Sequence, residues 1–167
     1  MKIFIGCGSN PKISDELKLA SKDVCKLIAS LGYDLVYGAY NEGMMGICYN
    51  SFKSLGRNVY GVTITRYDTG GCYEVYDTSF ERLKRICELS DKLLILPGGI
   101  GTYSELFGLL EEKAKPVILY NYKGFYDDLI KFLNKNLDNN ILYDDDLNNL
   151  IIVNNINELE RVIKDEK

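Results

Sequence analysis

The sequence predicts an α/β protein: a doubly wound parallel sheet with helices on both faces, folded as a single domain over residues 1–167. Three observations carry this prediction. Short, continuous runs of β-branched and aliphatic residues recur along the chain, as expected of strands buried on both faces. Longer segments with apolar residues at helical spacing fall between them. The two kinds of segment alternate regularly, which calls for parallel strands joined by helical crossovers.

In chain order, six runs read as strands: residues 2–6 (KIFIG), 35–37 (LVY), 59–64 (VYGVTI), 93–96 (LLIL), 117–120 (VILY) and 151–153 (IIV). Residues 14–31 carry Leu17, Ala20, Val24, Leu27, Ile28 and Leu31 on one helical face, and residues 125–137 repeat the pattern with Leu129, Ile130 and Leu133. Further helices are expected over 43–55, 79–90, 102–113 and 155–164, the last with an Asn155 cap and Glu158 three residues on. The Asp/Asn-rich segment 138–149 reads as a solvated loop. Residues 65–78 read as a long loop whose Tyr67, Tyr73 and Tyr76 are candidates to stack on a base.

Composition removes several chemistries. The chain has no histidine, so Ser-His-Asp and Cys-His catalysis and imidazole-based zinc sites are excluded. Proton transfer falls to Asp, Glu, Tyr, Lys or Cys. Cys7, Cys25, Cys48, Cys72 and Cys87 form no C-x-x-C pair, and their odd count fits a reducing compartment. The apolar start, Ile3-Phe4-Ile5, is too short for a secretory core, and a cytoplasmic location is expected. A net charge of −4 without a basic cluster argues against nucleic acid as a partner, and no run suits a membrane. No metal or cofactor is expected.

Ligands of such sheets bind beyond the carboxyl ends of the strands. After the first strand, Gly6-Cys7-Gly8-Ser9-Asn10-Pro11 begins like a dinucleotide fingerprint but has proline at the third glycine. Gly8 allows close approach and Ser9 can donate a hydrogen bond. After the second strand, Gly43, Met45 and Gly46 stand at a strand-to-helix junction, where glycine serves either ligand approach or close packing. After the fourth, Pro97-Gly98-Gly99-Ile100-Gly101-Thr102-Tyr103-Ser104-Glu105 sets three glycines between a strand and a helix start, a phosphate cradle in chemical terms. It lacks the lysine of a triphosphate-binding loop. Thr102-x-x-Glu105 also has the form of a capping box, as does Thr78-x-x-Glu81, and Arg82 also reads as a solvated helix charge.

The segment PGGIGTYSE resembles the P-G-G-x-G-T-x-x-E signature of the Lonely Guy family, once described as lysine decarboxylases. Gly43-Met44-Met45-Gly46 is similar to the family's G-L-M-G element, and Phe80-Glu81-Arg82 resembles its H-E-R. The resemblance implies a Rossmann-like nucleotide-binding domain and a hydrolase that cleaves the N-glycosidic bond of a nucleoside 5′-monophosphate, AMP or a cytokinin ribotide, to free base and ribose 5-phosphate. It implies Arg82 and Glu105 as catalytic residues, and the substrate phosphate at Gly98, Gly99, Gly101 and Thr102. Glu105 would act as an ionised carboxylate held by Arg82 in a bidentate pair. A homodimer is implied as well. The sequence departs from the family at Gly38-Ala39-Tyr40, where a glycine triplet is usual, at Phe80, at Leu83 and in a shortened helix after Glu105. These departures point to an alternative, a non-catalytic nucleotide sensor or carrier of the same fold. In a third reading the glycines serve packing alone.

Overall fold

The computed structural model describes residues 1–64 and 72–165. Seven strands and six α-helices follow one another as β1 (Lys2–Gly6), α1 (Asp15–Ser30), β2 (Asp34–Tyr37), α2 (Gly43–Ser54), β3 (Val59–Thr63), β4 (Cys72–Val75), α3 (Ser79–Leu89), β5 (Lys92–Ile95), α4 (Ile100–Glu112), β6 (Val117–Tyr120), α5 (Asp127–Asp138), β7 (Leu150–Val153) and α6 (Ile156–Lys164). All strand pairs are parallel, and the sheet order is β4-β3-β2-β1-β5-β6-β7.

The doubly wound architecture is that expected from the alternation, and each strand shows why. Ile3 and Ile5 of β1 and Leu94 of β5 enter one core with Val24 and Ile28 of α1, Phe52 of α2, and Leu159 and Ile163 of α6. Their neighbours Phe4, Leu93 and Ile95 enter the other, with Ile86 of α3 and Leu106, Leu109 and Leu110 of α4. A strand apolar on both sides needs helices on both sides, because its successive side chains point to opposite faces. Three thiols meet inside the first layer: Cys25 Sγ donates to Cys48 Sγ at 3.1 Å, and Cys7 Sγ lies 3.9 Å from Cys48 Sγ, all three buried.

Two expectations change. The sheet has seven strands, not six, because Cys72–Val75 within the presumed loop pairs in parallel with β3. The loop's Tyr73 and Tyr76 pack against the two cores, Tyr76 Oη donating to Glu74 at 2.6 Å, and neither faces a ligand cleft; Tyr67 lies outside the described residues. Secondly, α4 starts at Ile100 with Gly99 as its cap, so Thr102 lies inside the helix and forms no capping box with Glu105. The Thr78–Glu81 box does form: Glu81 N–H donates to Thr78 Oγ1 and Thr78 N–H to Glu81 Oε2.

The chain moves outward from β1 through β2 and β3 to β4, then returns to place β5 beside β1 and continues to β6 and β7. The strand order therefore reverses between β1 and β5. Loops leaving these two strands diverge above and below the sheet, opening a crevice at their carboxyl ends. Among the described residues, no helix is long and apolar enough to cross a membrane.

Candidate active site

A cleft of about 690 Å³ opens at that crevice. Its floor is built from the loops after β1 and β5, which are tied together: Leu96 N–H donates to Gly6 O at 2.9 Å and Gly8 N–H to Pro97 O at 3.1 Å. On one side stand Gly98, Gly99, Ile100, Gly101 and Thr102; on the other, Gly38 and Tyr40 from the loop after β2 and Met45 of α2, with Thr63 at the end of β3 and Ile64 just after it. Gly99, Ile100 and Gly101 are exposed at the first turn of α4, where backbone N–H groups have no acceptor within the helix. A Cβ at Gly99 or Gly101 would have nothing within 4 Å, so open space lies directly above both. Gly98 has a different task, because a Cβ there would stand 2.6 Å from Thr102 Cβ. Its missing side chain is the room that Thr102 fills.

Arg82 and Glu105 meet at the back of the cleft. Arg82 projects inward from α3, its side chain 14% exposed, and donates from Nη2 to Glu105 Oε1 at 2.6 Å and from Nε to the Val62 carbonyl at 2.8 Å. It is no solvated helix charge. Glu105, with an 8% exposed side chain, projects from the second turn of α4. The expected bidentate pair is not formed, because only Oε1 receives a guanidinium N–H while Oε2 is turned toward Gly6. Glu105 Oε2 is buried without a hydrogen-bond partner, close against Gly6, where a Cβ would lie 2.8 Å from it. Burial pushes the Glu105 carboxyl above its ordinary value, and the Arg82 charge and hydrogen bond only partly oppose this. The expectation that its surroundings favour the ionised form is thus corrected: desolvation outweighs the cation.

Of the remaining predicted residues, Gly8, Ser9 and Met45 line the cleft, whereas Gly43 and Gly46 stand behind its wall. Gly43 has φ +58, and a Cβ there would meet the Ser9 carbonyl carbon at 2.6 Å; one at Gly46 would meet that of Asn41, also at 2.6 Å. Both are packing glycines. Sequence reasoning missed Thr63, Ile64 and Phe125 as lining residues. Only the rule that strand ends face the ligand would have pointed to Thr63 and Ile64. Among the described residues, Arg82 is the one cation lining the cleft, and no cluster of three or more Cys, Asp or Glu is placed to hold a metal ion.

The departures from the motif are also explained locally. Ala39 adopts φ +61, a left-handed conformation natural to the glycine it replaces. Leu83 packs into the second core beside Gly108 of α4, so the position after Arg82 serves the α3–α4 contact. Phe80 lies 85% exposed, outside the cleft.

The family model described as "Possible lysine decarboxylase" matches residues 41–163. The chain belongs to this family. It is 30% identical over 146 residues to a rice protein (Oryza sativa subsp. japonica) named probable cytokinin riboside 5′-monophosphate phosphoribohydrolase, covering 80% of the present chain and 59% of the rice protein. It is 28% identical over 172 residues to the Mycobacterium tuberculosis cytokinin riboside 5′-monophosphate phosphoribohydrolase, covering 95% and 91% of the two chains. The chain thus spans well under two thirds of the rice protein but nearly all of the mycobacterial one. In fold it is similar to the molybdenum cofactor carrier protein of Chlamydomonas reinhardtii, with a TM-score of 0.75 at 21% identity over 98% of this chain and 95% of that one.

Proposed function

We propose that this cleft hydrolyses the N-glycosidic bond of a nucleoside 5′-monophosphate, AMP or a cytokinin ribotide, to free base and ribose 5-phosphate. The observation that carries this reading is the buried Arg82–Glu105 pair, held at the back of a cleft whose wall includes an exposed, glycine-rich helix start.

In this reading the phosphate sits on the α4 N-terminus at Gly98, Gly99, Gly101 and Thr102, where free N–H groups and the helix dipole favour an anion. Anchoring there positions the sugar by binding energy remote from the bond that breaks. As the base departs, positive charge grows on the ribose ring, and the Glu105 carboxylate stabilises it and orients the attacking water. The water oxygen joins the anomeric carbon, the C–N electron pair leaves with the base, and Glu105 takes the water proton. The base acquires its proton from solvent. Arg82 touches Glu105 directly and offsets part of the pull of burial, favouring the ionised form that the reaction uses. Free thiols at Cys7, Cys25, Cys48 and Cys87 fit action in the reducing cytoplasm, and Phe80 and Ile100, 85% and 90% exposed, leave apolar surface for a second copy in a homodimer.

Incubation with AMP and other nucleoside monophosphates, with chromatography of the released base, tests the proposal. Turnover by wild type and its loss in Glu105→Gln is expected. No base release by wild type, or equal release by the variant, overturns it. One observation favours a second reading, a nucleotide carrier without turnover: Tyr40, at the position of a family glycine, stands in the cleft wall. Tight AMP binding with no base release would select that reading.

A further inference from the structure

An anion cradle needs more than free N–H groups. The carbonyl oxygens of the same turn must point elsewhere, because each carries partial negative charge that repels a phosphate. In the turn after β5 both nearest carbonyls are occupied from below. Gly8 N–H takes Pro97 O at 3.1 Å, and the Tyr126 hydroxyl donates to Leu96 O at 2.8 Å. Tyr126 is buried, and its position is fixed independently of the cradle. Its backbone N–H donates to Asn121 Oδ1 at 2.7 Å, Asn121 Nδ2 donates to Asp127 and Asn154, and the ring stands edge-on to Tyr103 of α4 at 5.8 Å. Burial holds the phenol far above its ordinary value, so it remains a protonated donor throughout the physiological range.

We propose that Tyr126 is a positioning residue for phosphate binding: its hydroxyl fixes the Leu96–Gly98 turn with the carbonyls turned inward, so that the exposed start of α4 presents only donors to the anion. The inference rests on the phosphate-cradle part of the proposed function and not on turnover. Tyr126 touches no substrate; it acts through the turn.

Tyr126→Phe keeps the ring and removes the bond. Calorimetric titration of wild type and variant with inorganic phosphate, AMP and adenosine separates positioning from general packing. The expected result is about a tenfold loss of affinity for phosphate and AMP, the scale of one buried hydrogen bond, with adenosine affinity unchanged. If wild type turns AMP over, KM rises by the same factor with kcat retained. Equal phosphate affinity in the two proteins overturns the inference, as does a parallel loss for adenosine, which a loosened fold would produce. A wild type that binds phosphate without releasing base refutes the hydrolase reading and leaves this comparison intact, whereas one that binds no phosphate removes both. Should Tyr126→Phe fail to fold, NMR of the wild-type Tyr126 hydroxyl proton decides: slow exchange with solvent is expected without ligand, as its bond to the Leu96 carbonyl requires, and exchange too fast to observe overturns the inference.

Discussion

Replacing Arg82 by methionine tests how the cleft holds its carboxylate. The substitution keeps an apolar stem of similar reach but removes the one donor to Glu105 Oε1, leaving both oxygens without partners, since Oε2 already has none. Breaking a buried pair in this way costs about 3–5 kcal/mol when the remaining charge must stay. Glu105 has an escape: it can take up a proton. Relative to an unfolded glutamate at about pKa 4.3, protonation at pH 7 costs about 1.36 × 2.7, or roughly 3.7 kcal/mol, which caps the charge penalty. Wild-type Glu105 already sits above its ordinary value, so part of that penalty is present before the mutation. The penalty added by the mutation therefore stays below that cap, with about 1 kcal/mol more, independent of pH, for the abandoned Val62 carbonyl.

The sign follows from the direction of the shift. A carboxyl whose folded value is raised favours the folded state least at high pH, so stability declines as pH rises from the ordinary glutamate value through the raised one. Arg82→Met steepens that decline. Thermal melts by circular dichroism should show a Tm loss of about 6–15 °C at pH 7, shrinking to a few degrees at pH 4.5. The double variant Arg82→Met/Glu105→Gln should lose only the small, pH-independent part. An equal Tm loss at both pH values, or a double variant as unstable as the single at pH 7, would refute the reasoning.

Further expectations concern the same site. Glu105→Gln should lower kcat on AMP by about 10² or more, and the wild-type rate should rise with pH through an inflection above the ordinary glutamate value, since burial raises this carboxyl; an inflection at or below that value would contradict the assignment. Gly98→Ala forces its Cβ onto Thr102 and should cost about 2 kcal/mol in denaturant titrations, whereas Gly99→Ala, with nothing near its Cβ, should keep full stability and weaken AMP binding by filling the cradle. At φ +61, Ala39→Gly should change stability by less than about 1 kcal/mol, relief of strain offsetting the gain in unfolded-state entropy, while Ala39→Val should lose more than about 2 kcal/mol.

Much of this molecule is legible in its sequence because buried parallel strands are continuous apolar runs and their order of appearance restricts the topology. The fourth strand escaped because it is an edge: Cys72–Val75 is four residues long, contains Glu74 and follows two glycines, so its pairing with β3 is decided by the sheet already in place. Arg82 and Glu105 could be picked out by motif, but not their environment. Whether Thr102 caps the helix or lies inside it turns on where α4 begins, and Gly99, by capping it, moves that start to Ile100 and sends Glu105 into the cleft. Tyr126 carried no local signal at all. Its bond to Leu96 spans 30 residues and exists only because β6 lies beside β5.

The thiol trio beneath the cleft gives the protein a built-in clock. Cys25 and Cys48 face each other from α1 and α2, and Cys7 joins them from the loop that forms the cleft floor. An alkylating reagent can reach Cys25 and Cys48 only when the two helices part, so their labelling rate counts openings of that layer, while the half-buried Cys87 on α3 reports the opposite face. Following both in one sample, by mass, would tell whether the two helical layers loosen together or in turn, without introducing a foreign probe.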